Sequence, residues 1–239
     1  MARSSWPAAK AFVWRTENDG QGFHTDPHDS GKETDMGITD ATWKRAILQG
    51  IVRDVTLDYG TDDEFARILL LDYWKPCSCD SLSIGVDLAV FNMAMVAGVG
   101  RASIILQTVV GAYTDGDIGP LTRTSAMDYP GGAFALVKAL TTEDERFYAQ
   151  CPTARYFLRG WDRRAEDCQA ECIRLIKDAG EEKTLVVGPS APTGRHTPSV
   201  ARASAGMDIA SGAIIPDPGR DNAEVVATAW ARKALVPYG

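Results

Sequence analysis
Apolar positions recur at helical spacing over most of the first 180 residues. Ser4 or Ser5 can cap a first helix, with Pro7 in its first turn. Ala8, Ala11, Phe12 and Arg15 share one face of it. The helix should stop near Glu17, because Asn18-Asp19-Gly20 follows and Gly22, Asp26-Pro27 and Gly31 break helices further on. Residues 18–38 therefore read as irregular or short-stranded. Thr39 caps a second helix from Asp40 to about Gln49, and Thr61 with Glu64 forms a capping-box pattern that opens a third, running to about Trp74 before Pro76. The segment from Ile84 to Ala97 is apolar nearly all round, the mark of a central buried helix. Gly98 and Gly100 break it, and Arg101 to Val110 resumes. A turn at Asp115–Pro120 feeds a helix at Leu121. Thr142 with Glu145 predicts a second capping box and a helix to about Gln150, and Pro152 to Ala179 a long helix stopped by Gly180. The expected class is mainly α: a helical domain with a small β segment near Glu17.

The pattern changes near residue 186. Six of the twelve prolines lie beyond it, among many Ser, Thr, Ala and Gly, so 186–239 reads as a linker or extended tail with a short helix at Asp221–Leu235. The expected organisation is a catalytic region over 1–110, a helical region packed on it over 111–185, and this tail. Net charge is −7, and the tail is nearly neutral, so the acidity belongs to the domain before it. An acidic chain lacks the basic footprint of sequence-independent nucleic-acid binding. Its attraction to an anionic polymer such as a cell wall would have to rest on shaped contacts.

Five cysteines, Cys77, Cys79, Cys151, Cys168 and Cys172, are too few and too odd in number for a disulfide scaffold. Free thiols, or one opportunistic disulfide, are the better reading than a zinc site. Residues 1–14 hold no apolar core of signal-peptide length, and the run Leu88–Val99 is short of a membrane span. The expectation is a protein made in the cytoplasm and carried to its site of action by other means.

The candidate chemistry lies in the polar stretch between Glu17 and Thr39. A carboxyl group at the end of a buried helix is desolvated, which raises its pKa and keeps it protonated. Such an acid can give its proton to a glycosidic oxygen. A second carboxylate across the turn, Asp26 or Asp29, would stay ionised and steady positive charge at the sugar or orient a water, with Thr34 placing that water. His24, Asp26, His28 and Asp29 also suggest a metal site, but alternating polar residues in a loop are more often solvated, and no metal or other cofactor is expected. Tyr73, Trp74 and Phe23 offer faces that stack on sugar rings, although helix aromatics as often belong to the core. Trp43 and Trp161 are weaker candidates of the same kind. Asp115–Thr122 reads as a structural turn.

These residues resemble the opening motif of glycoside hydrolase family 108, the N-acetylmuramidases of bacteria and phages. That motif runs Glu-Gly-Gly-Tyr, then Asp-Pro-x-Asp-Pro-Gly-Gly-x-Thr-Asn-x-Gly-Ile-Thr. Here Asp26-Pro27, Asp29, Gly31, Thr34 and Gly37-Ile38-Thr39 stand in register with it. The likeness continues in order through Tyr73-Trp74, Ser81-Leu82 to Val90-Phe91, Leu106-Gln107 and Asp115-Gly116-x-Ile118-Gly119-Pro120-x-Thr122. It ends with Arg146, Phe157 and Gly160-Trp161-x-x-Arg164. Together these cover roughly residues 8–178.

The resemblance implies a lysozyme-like fold whose second half is of the peptidoglycan-binding type. It implies hydrolysis of the β-1,4 bond between N-acetylmuramic acid and N-acetylglucosamine. Glu17 would be the general acid, Asp29 or Asp26 the second carboxylate, Thr34 the water-placing hydroxyl, and Tyr73, Trp74, Phe23 and Asn92 the substrate contacts. The implied partner is the peptidoglycan glycan strand, with a virion or secretion-system partner for the 186–239 tail. Several positions depart from the motif. Three extra residues stretch the segment after Glu17, Lys32 replaces a glycine, Asp35 an asparagine, Asn92 an aspartate and Val96 an asparagine. The alternatives are a wall-binding or structural virion protein that kept the fold without cutting, and a peptidase or amidase, against which the lack of a Cys-His or zinc-ligand motif argues.

Overall fold
The structure, a computed structural model, describes residues 5–17, 24–25, 33–151 and 154–180. The expectations for Phe23, Asp26, Asp29 and the tail from 186 lie outside these residues. The first helix, α1 (Trp6–Glu17), buries Ala9, Phe12, Val13 and Glu17. The inward face thus repeats at three and four residues from Ala9. Of the face expected from the sequence only Phe12 is fully buried, while Ala11 and Arg15 are exposed. The apolar but small alanines at both Ala8 and Ala11 left the phase of this short helix open, and contact with the rest of the fold sets it.

Strands β1 (His24–Thr25), β2 (Glu33–Asp35) and β3 (Ile38–Thr39) form one antiparallel sheet in that order. Asp35 pairs with Ile38 across a two-residue turn, Met36-Gly37. Both turn residues have positive φ, 48° and 74°. That is the combination whose twist suits a tight hairpin. Thr39 ends β3 and caps α2 (Asp40–Leu48), its hydroxyl accepting the N–H of Thr42. Helix α3 (Asp62–Leu69) opens with Glu64 reaching back to the N–H of Thr61 at 3.0 Å. It runs into a π-helical turn over Leu70–Trp74. The expected single helix therefore changes its hydrogen-bond spacing over its last five residues.

Helix α4 (Val86–Ala97) is buried at every position. Such a helix has no solvent face, so the others wrap around it. Helices α1, α7 and α8 pack on it, as does α5 (Val99–Val110), which follows after Gly98. Helix α6 (Pro120–Met127) starts on Pro120. Helix α7 spans Gly132–Gln150 without interruption, so Thr142 is not a cap. Its hydroxyl instead bonds back to the Lys138 carbonyl within the helix at 3.2 Å. The same serine- or threonine-to-glutamate spacing that opens a helix also occurs inside one, where the backbone N–H groups already have partners. Helix α8 (Ala154–Asp178) buries Trp161, Arg164, Ala165, Cys168, Cys172 and Ile176, a stripe at helical spacing with one charge in it.

Among the described residues, a single hydrophobic core runs from Ala9 to Ile176. The regions before and after residue 110 thus share it. Among the described residues, no helix is long and apolar enough to cross a membrane.

Candidate active site
The site is built around the last residue of α1. Glu17 is only 7% exposed. Its carboxyl group meets two neighbours that come from distant parts of the chain. From the β2–β3 turn, Gly37 lies so close that a methyl group added to it would stand 2.9 Å from Glu17 Oε1 and 3.3 Å from Met95 Cε. Glycine is needed there twice over, for its φ of +74° and for the close approach. From α8, Arg164 Nη1 lies 3.5 Å from the same Oε1. The Arg164 side chain is 1% exposed and stacks its guanidinium over the Phe12 ring at 5.7 Å.

Arg164 is held by a third element. Its Nε donates to Asn92 Oδ1 of α4 at 2.7 Å. Burial pushes the Arg164 guanidinium below its ordinary value, and the Glu17 carboxylate works the other way. An arginine cannot shed its charge at any ordinary pH, so a buried cation stands beside the Glu17 carboxyl group.

The residues expected in the site divide into three groups. Glu17 is where the sequence placed it, at the helix end and out of water. Thr34 sits in β2, its backbone paired with His24 on one side and Thr39 on the other. That strand leads directly into the turn that covers Glu17. Phe23, Asp26 and Asp29 lie outside the described residues.

The structure places the remaining candidates for sugar contact in the interior. Trp74 is fully buried, packed edge-on against Trp6 and Phe91, with its indole N–H donating to Asp80 at 2.8 Å. It is a core residue joining α1, α4 and the π-helical turn. Tyr73 is 6% exposed and belongs to the same core. Asn92 is buried and its carbonyl oxygen serves Arg164, so it supports the site from behind. Trp43 and Trp161 are also buried.

No site role followed from the sequence for two contributors, Gly37 and Arg164. Gly37 was visible only as part of a motif, and its contact with Glu17 depends on tertiary packing. Arg164 was legible as a matched position, and the stronger signal was a cation inside the apolar stripe of α8.

The Asp115–Thr122 segment is a structural turn. Gln107 of α5 donates to Asp115 Oδ1 at 2.7 Å and to the Asp117 carbonyl at 2.8 Å, and accepts the Gly116 N–H at 2.9 Å. The Sγ atoms of Cys168 and Cys172 are 3.9 Å apart. Among the described residues, no group of three His, Cys, Asp or Glu side chains could hold a metal ion.

The site is thus a carboxyl group dehydrated at a helix tip, beneath a tight hairpin in a mainly helical, lysozyme-like fold. Comparison with known proteins points to glycoside hydrolases. Residues 12–98 match the model of Glycosyl hydrolase 108. A solved structure, SagA of Brucella abortus, superposes with a TM-score of 0.65 at 27% identity, over 74% of this chain and 98% of the SagA chain. No curated protein matches the sequence.

Proposed function
We propose that the protein is an N-acetylmuramidase, cleaving the β-1,4 bond between N-acetylmuramic acid and N-acetylglucosamine in peptidoglycan. The observation that carries this reading is Glu17, at the end of α1, nearly closed off from water and pressed against the backbone of Gly37. In its protonated form Glu17 donates to the leaving glycosidic oxygen as the bond lengthens and the sugar acquires oxocarbenium character. A second carboxylate, Asp29 or Asp26, balances that charge or activates a water, which Thr34 helps to place. The family match supports the choice of a glycosidic bond, and the motif Asp26-Pro27-x-Asp29 with Thr34 and Gly37-Ile38-Thr39 supports peptidoglycan as its source.

The test is digestion of purified peptidoglycan, with the products identified by mass spectrometry. Release of muropeptides with a reducing N-acetylmuramic acid end, lost in Glu17→Gln with the helical circular dichroism retained, is the expected result. Fragments cut at a peptide or amide bond would reject the glycosidase reading. Wild-type protein that binds the wall and releases nothing would assign it to the wall-binding class.

A further inference from the structure
The match to the hydrolase family ends at residue 98, yet the group facing Glu17 comes from α8, 147 residues further along the chain than Glu17. Arg164 makes two directed contacts from one planar group. Nε is bonded to Asn92 at 2.7 Å, and Nη1 faces Glu17 Oε1 at 3.5 Å. The first contact fixes the plane of the guanidinium against the central helix, and the second sets where the carboxyl group of Glu17 rests. A fork of fixed geometry is suited to this; a single ammonium on a flexible stem is not. Its burial needs a reason. A cation 1% exposed in a helical stripe otherwise made of Trp161, Ala165, Cys168, Cys172 and Ile176 costs stability that an apolar side chain would not. Packing alone would select leucine or methionine at this position.

We infer that Arg164 is a positioning residue of the active site, held by Asn92 and orienting the Glu17 carboxyl group for proton transfer, so that the helical second half of the chain completes the catalytic site. The inference rests on Glu17 being the general acid. Orientation acts on the transition state. Misplacing a proton donor by about 1 Å costs on the order of a hundredfold in rate. It leaves sugar binding elsewhere in the cleft nearly intact.

The experiment compares full-length wild type, Glu17→Gln, Arg164→Met, Arg164→Lys and Asn92→Ala on soluble, uncrosslinked peptidoglycan strands, reading kcat and KM separately. Arg164→Met is expected to lower kcat at least thirtyfold with KM within about threefold of wild type. Arg164→Lys, which keeps the charge but loses the planar fork, recovers part of that loss. Asn92→Ala leaves both charges in place, frees the guanidinium to turn, and lowers kcat at least threefold with KM little changed. Should Arg164→Met fail to fold, Asn92→Ala and Arg164→Lys decide the question. The inference is overturned if the folded variants keep kcat within twofold of wild type, or if KM rises while kcat holds. Activity surviving in Glu17→Gln would instead remove the catalytic reading itself, whatever the arginine variants do.

Discussion
At the scale of single residues, the pair Glu17–Arg164 is asymmetric, and the asymmetry predicts stability. Glutamate can answer the loss of its partner by binding a proton; arginine has no such escape. Glu17→Gln takes away the charge that offsets burial at Arg164. It is expected to lower the unfolding free energy by about 2 kcal/mol, less than the full cost of breaking a buried pair because the amide oxygen still accepts. Arg164→Met is expected to cost less than Glu17→Gln. Chemical denaturation of both at neutral pH checks the order. Gly37→Ala tests the hairpin. The added methyl group meets Glu17 Oε1 at 2.9 Å on a backbone of positive φ. The cost should exceed about 1 kcal/mol, with a larger proportional loss of wall-clearing activity, because the group displaced is the proposed proton donor. Of these residues, Glu17 and the glycine were legible in the sequence, one as a carboxylate ending a helix, the other as part of a motif. Their contact was not, because it joins a helix end to a turn 20 residues on through packing that no local pattern encodes.

At the scale of elements, two helix starts carry buried carboxylates whose pH responses have opposite sign. Asp87, in the first turn of α4, accepts the N–H groups of Gly85 and Leu88 and, from the start of the chain's first helix, that of Ser5. Burial nonetheless wins over these bonds and raises its pKa from 3.8 to about 6. The folded state then binds the proton more tightly than the unfolded one. The contribution of Asp87 to stability is present in full below about pH 4 and is lost as pH rises through about 6. Glu64, in the first turn of α3, is pulled well below the ordinary carboxylate range by Arg53, whose guanidinium bonds it at 2.8 Å. Its contribution is present above about pH 4.5 and disappears in strong acid. Thermal midpoints measured from pH 3 to pH 7 should therefore show the fall between pH 4 and 6 reduced in Asp87→Asn. They should also show a loss of about 1 kcal/mol at neutral pH in Glu64→Ala, from the broken cap. The capping boxes show how far element boundaries can be read. Thr61–Glu64 opens a helix because residues before it turn away, while Thr142–Glu145 lies inside one because Gly131, with φ of +84°, had already started it. The sequence signal is the same in both places, and only the backbone upstream distinguishes them.

At the scale of the whole molecule, the core runs through the regions on both sides of residue 110. Helix α8 buries Trp161 against Tyr148 of α7, with ring centroids 5.6 Å apart, and continues through Cys172 and Ile176 to cover Gly85 at the start of α4. Trp161→Ala should cost about 3–5 kcal/mol. A chain ending at residue 151 should lose its sigmoidal unfolding curve altogether, since it uncovers the faces of α4 and α7. Near-ultraviolet circular dichroism and urea titration check both. The mainly α class, the central helix and the order of elements were legible because long periodic segments and their glycine stops are local properties. How the two halves share one interior was not, because that is decided by which helix faces meet. The span between Glu17 and Arg164 has a temporal consequence as well. Synthesis from the N-terminus delivers Glu17 147 residues before Arg164, so a nascent product that stops between them carries the acid without the cation proposed to orient it.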